Sequence, residues 1–239
     1  MKLLRLTALL LMIGLCPTMP AIADQLNAGM KAFKRGDYKT SLKLLSPLAE
    51  QGDANAQRAL GSMYYEGKGV AQDNAIAMKW LRQAAEQGHA DAQYGLAFMY
   101  DNGHGATQDY AEALNWYTKA AGQGHAEAQY NVGLMLDSGR GAPQDYAEAV
   151  KWYKKSAGQG HSGAQYNLAL MYSFGQGIEQ DYIEAHKWSA ISAARATDHD
   201  AKGLALALRD QMADKMTPAQ IKEARKLARK WRPGKEPSP

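Results

Sequence analysis

Four glycines, Gly52, Gly88, Gly124 and Gly160, stand 36 residues apart, and each is followed four residues later by Ala-Gln. The same step returns in Gly67, Gly103, Gly139 and Gly175, in Gly69, Gly105, Gly141 and Gly177, in Gln-Asp from 72–73 to 180–181, and in Trp80, Trp116, Trp152 and Trp188. A period of this length belongs to one supersecondary unit stacked on itself, because a single unit cannot bury its own apolar surface. The register divides residues 52–195 into four units, 52–87, 88–123, 124–159 and 160–195. A compact fold around one central core is excluded by that regularity.

Within a unit the spacing predicts a helical hairpin. In the second copy Ala92, Leu96, Met99 and Tyr100 share one face of a helix over Ala90–Asn102. Gly103 then stops it, since glycine takes left-handed backbone angles at a helix end without steric cost. Asp109 is placed to cap the next helix, with Glu112 three residues on as the second half of a capping box; Asp145/Glu148 and Asp181/Glu184 repeat the pair, whereas Asp73 is followed by Ile76. Ala113, Trp116, Tyr117 and Ala120 supply the second stripe, and the many alanines let the two helices approach closely. The four tryptophans lie on that stripe and are expected in the core.

The ends are read separately. Lys2 and Arg5, an apolar stretch over residues 6–15, and Ala21-Ile22-Ala23 form the pattern of an export signal cut after Ala23. The apolar stretch is too short to cross a membrane as a helix. Cys16, the one cysteine, falls inside the signal, and the bulky Leu15 before it disfavours lipidation. Residues 24–51 read as a shorter N-terminal hairpin. Residues 201–215 and a helix opening at Thr217-Pro218 and running to Trp231 read as C-terminal caps, with 232–239 a disordered tail.

Ala-x-Ala, Leu/Val-Gly/Ala-x-Met-Tyr/Leu, Gly-x-Gly, Asp, Ala-x-x-Trp and a closing Ala with Gly resemble the Sel-one-like repeat, a longer-looped relative of the tetratricopeptide repeat. The match covers residues 52–195, and residues 24–51 resemble the shorter tetratricopeptide form through Gly36-Asp37-Tyr38 and Leu42, Leu45 and Ala49. The resemblance implies an all-α, α/α superhelical solenoid acting as a scaffold or regulatory adaptor. Some exported relatives carry a cysteine pair in every unit and are associated with penicillin binding. No repeat here has such a pair, so an envelope hydrolase of the β-lactamase-like type loses its motif.

Chemistry is sparse. There is no Ser-centred elbow, no His-Glu-x-x-His and no strand before the Gly-x-Gly turns, so the sequence reads as non-enzymatic, with no cofactor and no metal. His89, His125 and His161 occupy one repeat position, hence about 10 Å apart in stacked hairpins, too far to share an ion. They read as solvated turn residues. His186 replaces the apolar Met78, Leu114 and Val150 of the other copies and is expected half-exposed at the end of the array.

Two surfaces stand out. Opposite the seam of each first helix lie Arg58, Tyr94 and Phe98, Tyr130 and Leu134, and Tyr166 and Leu170, with Asp91, Asp101, Glu127 and Asp137 nearby. By resemblance to tetratricopeptide arrays this face lines a concave groove for a protein segment; the tyrosines could equally stack sugar rings of a glycan or cell-wall fragment, or pack between hairpins. On the last helix Lys222, Arg225, Lys226, Arg229 and Lys230 form a basic face, either solvated or in peripheral contact with anionic lipid. The basic surplus gathers here, residues 203–239 holding 9 basic against 4 acidic side chains, while the net charge of +4 gives no argument for nucleic acid. The expectation is a monomeric periplasmic or secreted scaffold with an envelope or secreted protein partner.

Overall fold

The computed structural model describes residues 19–234, with side chains from Ile22 onward. Most of the expected export signal, including Lys2, Arg5 and Cys16, and the tail from residue 235 lie outside the described residues. Within them the chain forms twelve α-helices and no strand: α1 Met19–Lys34, α2 Tyr38–Glu50, α3 Ala54–Glu66, α4 Asn74–Glu86, α5 Ala90–Asn102, α6 Tyr110–Gly122, α7 Ala126–Ser138, α8 Tyr146–Gln159, α9 Ser162–Phe174, α10 Tyr182–Arg195, α11 His199–Ala213 and α12 Pro218–Lys230. Helices pair as hairpins from α1/α2 to α9/α10, and each second helix packs on the first helix of the next hairpin.

The seam is the one the periodicity predicts. Ala92, Leu96 and Met99 of α5 and Ala113, Tyr117 and Ala120 of α6 are all buried. Burying a side chain such as Leu96 stabilises by roughly 1.5–3 kcal/mol. Small residues set the spacing: a Cβ on Gly133 would sit 2.6 Å from the Tyr153 ring. Gly103 closes α5 in the left-handed region at φ 68°. Gly141 serves a different need, because a Cβ there would run into the Tyr110 carbonyl of the preceding unit.

Helix starts depart from expectation in one respect. Asp109 accepts from the N–H groups of Ala111 and Glu112, and Asp145 and Asp181 cap their helices likewise. The reciprocal half of the box is missing at all three. The backbone N–H of each capping aspartate already donates to the preceding helix, to Tyr100, Leu136 and Tyr172 O at 2.9–3.0 Å, leaving the glutamate no donor to meet. Glu148 bonds Lys151 and Glu184 bonds Lys187 and the Trp188 indole N–H instead. The complete box closes at Thr217 and Gln220, ahead of α12.

The tryptophans are only partly core. Trp116 and Trp188 are buried, but Trp80 and Trp152 are half-exposed. An indole is too large to be enclosed by alanine-rich neighbours, and a lysine lies over each ring: Lys79, Lys119, Lys155 and Lys187.

The C-terminal end is built around α10, which packs against α9, α11 and α12. α11 begins at His199, two residues before the sequence suggests, because Asp198 caps it through Ala201 N–H at 2.7 Å. α12 returns across α10, its terminal Trp231 meeting Trp188 edge-on with ring centroids 6.0 Å apart. Residues 232–234, expected in a disordered tail, are docked: Gly234 N–H donates to Gly158 O at 2.9 Å. The same return overturns the reading of His186, which is 1% exposed rather than half-exposed because α11 and α12 close over it.

Candidate functional site

The first helices α3, α5, α7 and α9 each begin at a cap in the same register: Asp53, His89, His125 and His161. Each histidine accepts at Nδ1 from the backbone N–H three residues on, Ala92, Ala128 and Ala164, at 3.4, 3.2 and 3.0 Å. The proton therefore sits on Nε2, which reaches back to the preceding unit: to Asn55 at 3.3 Å, Asp91 at 3.8 Å and Glu127 at 2.9 Å. These histidines are half-buried bridges rather than solvated turn residues. A histidine supplies the same acceptor as the Asp53 carboxylate and adds a donor the aspartate lacks. The His161 bond holds the Glu127 carboxyl below its ordinary value, and burial pulls His89 down. Among the described residues no three His, Cys, Asp or Glu gather as a metal would require.

The bridge also settles the tyrosines. Tyr94 stacks on His125 at 4.7 Å and 15°, and Tyr130 on His161 at 4.4 Å and 29°. One ring face of each is thus spent on packing between hairpins, the remainder staying half-exposed, and burial raises both phenols. Tyr166 has Thr197 rather than histidine one period on.

Of the sequence-selected groove residues, Arg58, Asp91, Tyr94 and Phe98 come together. They line one cleft of about 270 Å³ between α3 and α5, with Ser62 and Tyr65, above Leu81. Arg58 Nε is buried there without a hydrogen-bond partner, its guanidinium 5.7 Å from the Phe33 ring of α1. Tyr130, Leu134, Tyr166 and Leu170 sit further along and pack against the second half of the core. Of the remaining carboxylates, Asp101 Oδ1 faces Arg140 at 3.6 Å but is buried without a hydrogen-bond partner, and Asp137 accepts from the Tyr153 hydroxyl at 3.1 Å while burial raises its pKa.

All five basic residues selected on α12 are exposed. Arg225 and Arg229 edge a cleft of about 410 Å³ with Arg209 and His186, whereas Lys226 pairs with Glu223 at 3.0 Å. A second cleft, about 620 Å³, lies between α8, α9, α10 and the returning C-terminus, lined by Lys154, Lys155, Lys187, Tyr172, Trp188 and Trp231.

One set of residues carries the array without standing out as chemistry in the sequence. Gln57, Gln93, Gln129 and Gln165 are buried, each donating 3.1 Å to a carbonyl of the preceding helix: Ala49, Ala85, Ala121 and Ala157. The first three accept in turn from Gln87, Gln123 and Gln159. Their signal was the recurring Ala-Gln.

Stacked hairpins with a shared seam, repeated caps and no strand among the described residues define a helical repeat solenoid. The chain belongs to the Sel1 repeat family, whose model matches residues 54–89, 90–125, 126–161 and 162–196. Sel1-repeat proteins are generally protein-interaction scaffolds and typically non-enzymatic. The chain is similar to a Sel1 repeat protein from Oxalobacter formigenes, 29% identical with a TM-score of 0.69, over 82% of this chain and 88% of that one. It is also similar to a protective antigen of uropathogenic Escherichia coli with an SLR fold, 30% identical with a TM-score of 0.56. That match covers 88% of this chain but 53% of the antigen, about half its length. No curated protein matches.

Proposed function

We propose that this chain is an exported, non-enzymatic scaffold that holds an extended segment of an envelope or secreted protein along the face of its first helices. The observation that carries this is the cleft between α3 and α5, where an unpartnered Arg58 Nε, the half-exposed rings of Tyr94 and Phe98 and the exposed Asp91 converge. An amphipathic cleft with one cation, two carboxylates, Asp91 and the Lys68-paired Glu66, and aromatic walls suits a peptide whose backbone carbonyls meet Arg58 beside an apolar side chain. Family membership supports the scaffold role. The glycan reading draws less support, since histidines cover one face of Tyr94 and Tyr130 and sugar stacking uses an open ring.

A photo-cross-linking residue placed at Ser62, compared with one at the exposed Asn115 of α6, tests the face. Cross-linking of the same envelope protein from Ser62 but not from Asn115, abolished by Arg58→Glu, is the expected result; equal yield from both positions overturns it. Export to the periplasm or medium rests on the sequence pattern ending at Ala23. Purified protein from the native host beginning at Asp24 supports export, and protein beginning at Met1 overturns it.

A further inference from the structure

The cleft around His186 breaks the rule that the rest of the array keeps. The register position of His186 holds Met78, Leu114 and Val150 in the other three units, all apolar and packed. An imidazole there is 1% exposed, and its Nδ1 has no hydrogen-bond partner. Leaving a buried polar atom unpaired costs about 1–3 kcal/mol, and native structures concentrate such departures where function requires them.

The side chains that meet His186 are cationic from both covering helices. Arg209 comes from α11 and Arg225 and Arg229 from α12, around a cleft of about 410 Å³ whose remaining lining is Ala190 and Ala228. Asp210 neutralises part of this charge by pairing with Arg209 at 2.6 Å. Neither Arg225 nor Arg229 has a carboxylate partner among the ion pairs of the described residues. The two are four residues apart on α12, a spacing at which like charges repel. Burial and the nearby Arg209 and Arg225 guanidinium groups both hold His186 toward its neutral form, opposed by Asp210. Three guanidinium groups and an imidazole converge on a concave space whose remaining lining is alanine, with Asp210 held outside it on Arg209.

We infer that the cleft between α10, α11 and α12 binds a phosphate-type oxyanion, with the Arg225 and Arg229 guanidinium groups as its charged clamp and the His186 imidazole as a donor at its floor. The planar guanidinium fork matches two oxygens of a tetrahedral anion, and a pair of them offset by one helical turn presents such forks on one side. A bound anion relieves the repulsion along α12 and provides a partner for an otherwise idle imidazole. The source is either a free phosphate or phosphomonoester, or the phosphodiester of a lipid headgroup presented to the basic face of α12. This site is separate from the cleft between α3 and α5 and stands or falls independently of the scaffold reading.

The test uses the chain from Asp24 to its end. Inorganic phosphate is titrated at constant ionic strength maintained with chloride, following the His186 imidazole resonances. The expected result is a saturable shift at His186 with His89 unmoved, weakened at least tenfold in Arg225→Gln/Arg229→Gln. His186→Leu, which restores the apolar side chain of the other units, should fold and lose several-fold in phosphate-induced thermal stabilisation. Should the double variant fail to fold, Arg229→Gln alone, altered at an exposed side chain, gives the same reading. A shift shared by all histidines, or one unchanged by the arginine substitutions, means an adventitious ion only and overturns the site. Co-sedimentation with phosphatidylglycerol vesicles, set against phosphatidylcholine, separates the sources. Binding to the anionic vesicles that is lost in the arginine variant and competed by phosphate assigns a lipid phosphodiester. Phosphate binding without vesicle binding assigns a free oxyanion, and vesicle binding indifferent to Arg225 and Arg229 overturns a lipid role for the cleft.

Discussion

The third and fourth units carry the same set of ties to their neighbours, complete in the third and altered in the fourth. In the third, Gln129 is satisfied on both sides, giving to Ala121 O and taking from Gln159, while His161 caps α9, bonds Glu127 and stacks on Tyr130. In the fourth, Arg195 replaces the glutamine donor, Gln165 Oε1 is left without a partner, and Thr197 stands where the histidine would be. Arg195 keeps part of the old role, donating to Gly160 O at 2.9 Å as Gln159 does to Gly124 O, but turns its guanidinium toward Trp231. Regular positions carry the stacking. Departures from the register mark where the chain stops repeating and presents something else.

The largest expected effect comes from cutting the complete set of ties. Gln129→Leu removes two bonds, one to the Ala121 carbonyl and one from the Gln159 amide, each of which keeps a second partner in the Gly124 N–H or the Gly124 carbonyl, and should cost about 1–3 kcal/mol in urea unfolding. Gln165→Leu removes a group bonded on one side only and should cost about 1 kcal/mol less. Equal losses would show that the two sets are energetically alike. Next comes His161→Ala, which removes a helix cap, a bond to a carboxylate and a ring stack, for about 1–2 kcal/mol by thermal or urea melts. His89→Ala, whose Nε2 meets only the Asn55 amide, should lose less.

A smaller effect concerns acid. His89 and His186 sit below the ordinary value of 6.5, so the unfolded chain takes up more protons than the folded one once pH falls under about 6.5. Their contribution is present above that pH and is lost on acidification through the folded values. Glu127, lowered by His161, adds a second loss below about 4.5, while the raised Asp137 opposes it. Melting temperature should therefore fall by a few degrees between pH 7 and 5. His186→Leu should remove its share of that fall and leave stability at pH 7 within about 1 kcal/mol of the parent or above it. A pH profile unchanged by the substitution would show that His186 takes up its proton equally in the folded and unfolded chain.

Much of this architecture was legible because a period of 36 residues is read four times over. Helix limits such as Ala90–Asn102, the closing glycines and the Thr217-Pro218 start follow from local chemistry alone. The histidine caps were hidden by their residue type, although Asp53 stands in register with them and pointed to the role. Half-burial of Tyr94 and Tyr130 depends on a ring supplied by the next unit, and a helical wheel drawn for one helix contains no neighbour. The burial of His186 and the gathering of Arg209, Arg225 and Arg229 depend on α12 turning back over α10 instead of stacking onward. That choice is made between elements far apart in sequence, where periodicity has ended.

The glutamine ties have a consequence for how the molecule comes apart. Each of the first three links three consecutive helices, so opening any internal hairpin requires breaking bonds to both flanks at once. Amides of α5 to α8 should exchange with solvent deuterium only through near-complete opening, whereas those of α11 and α12, which hold no such tie, should exchange first. The array then frays like a zip from one end, and its interior can stay registered while its last helices come and go.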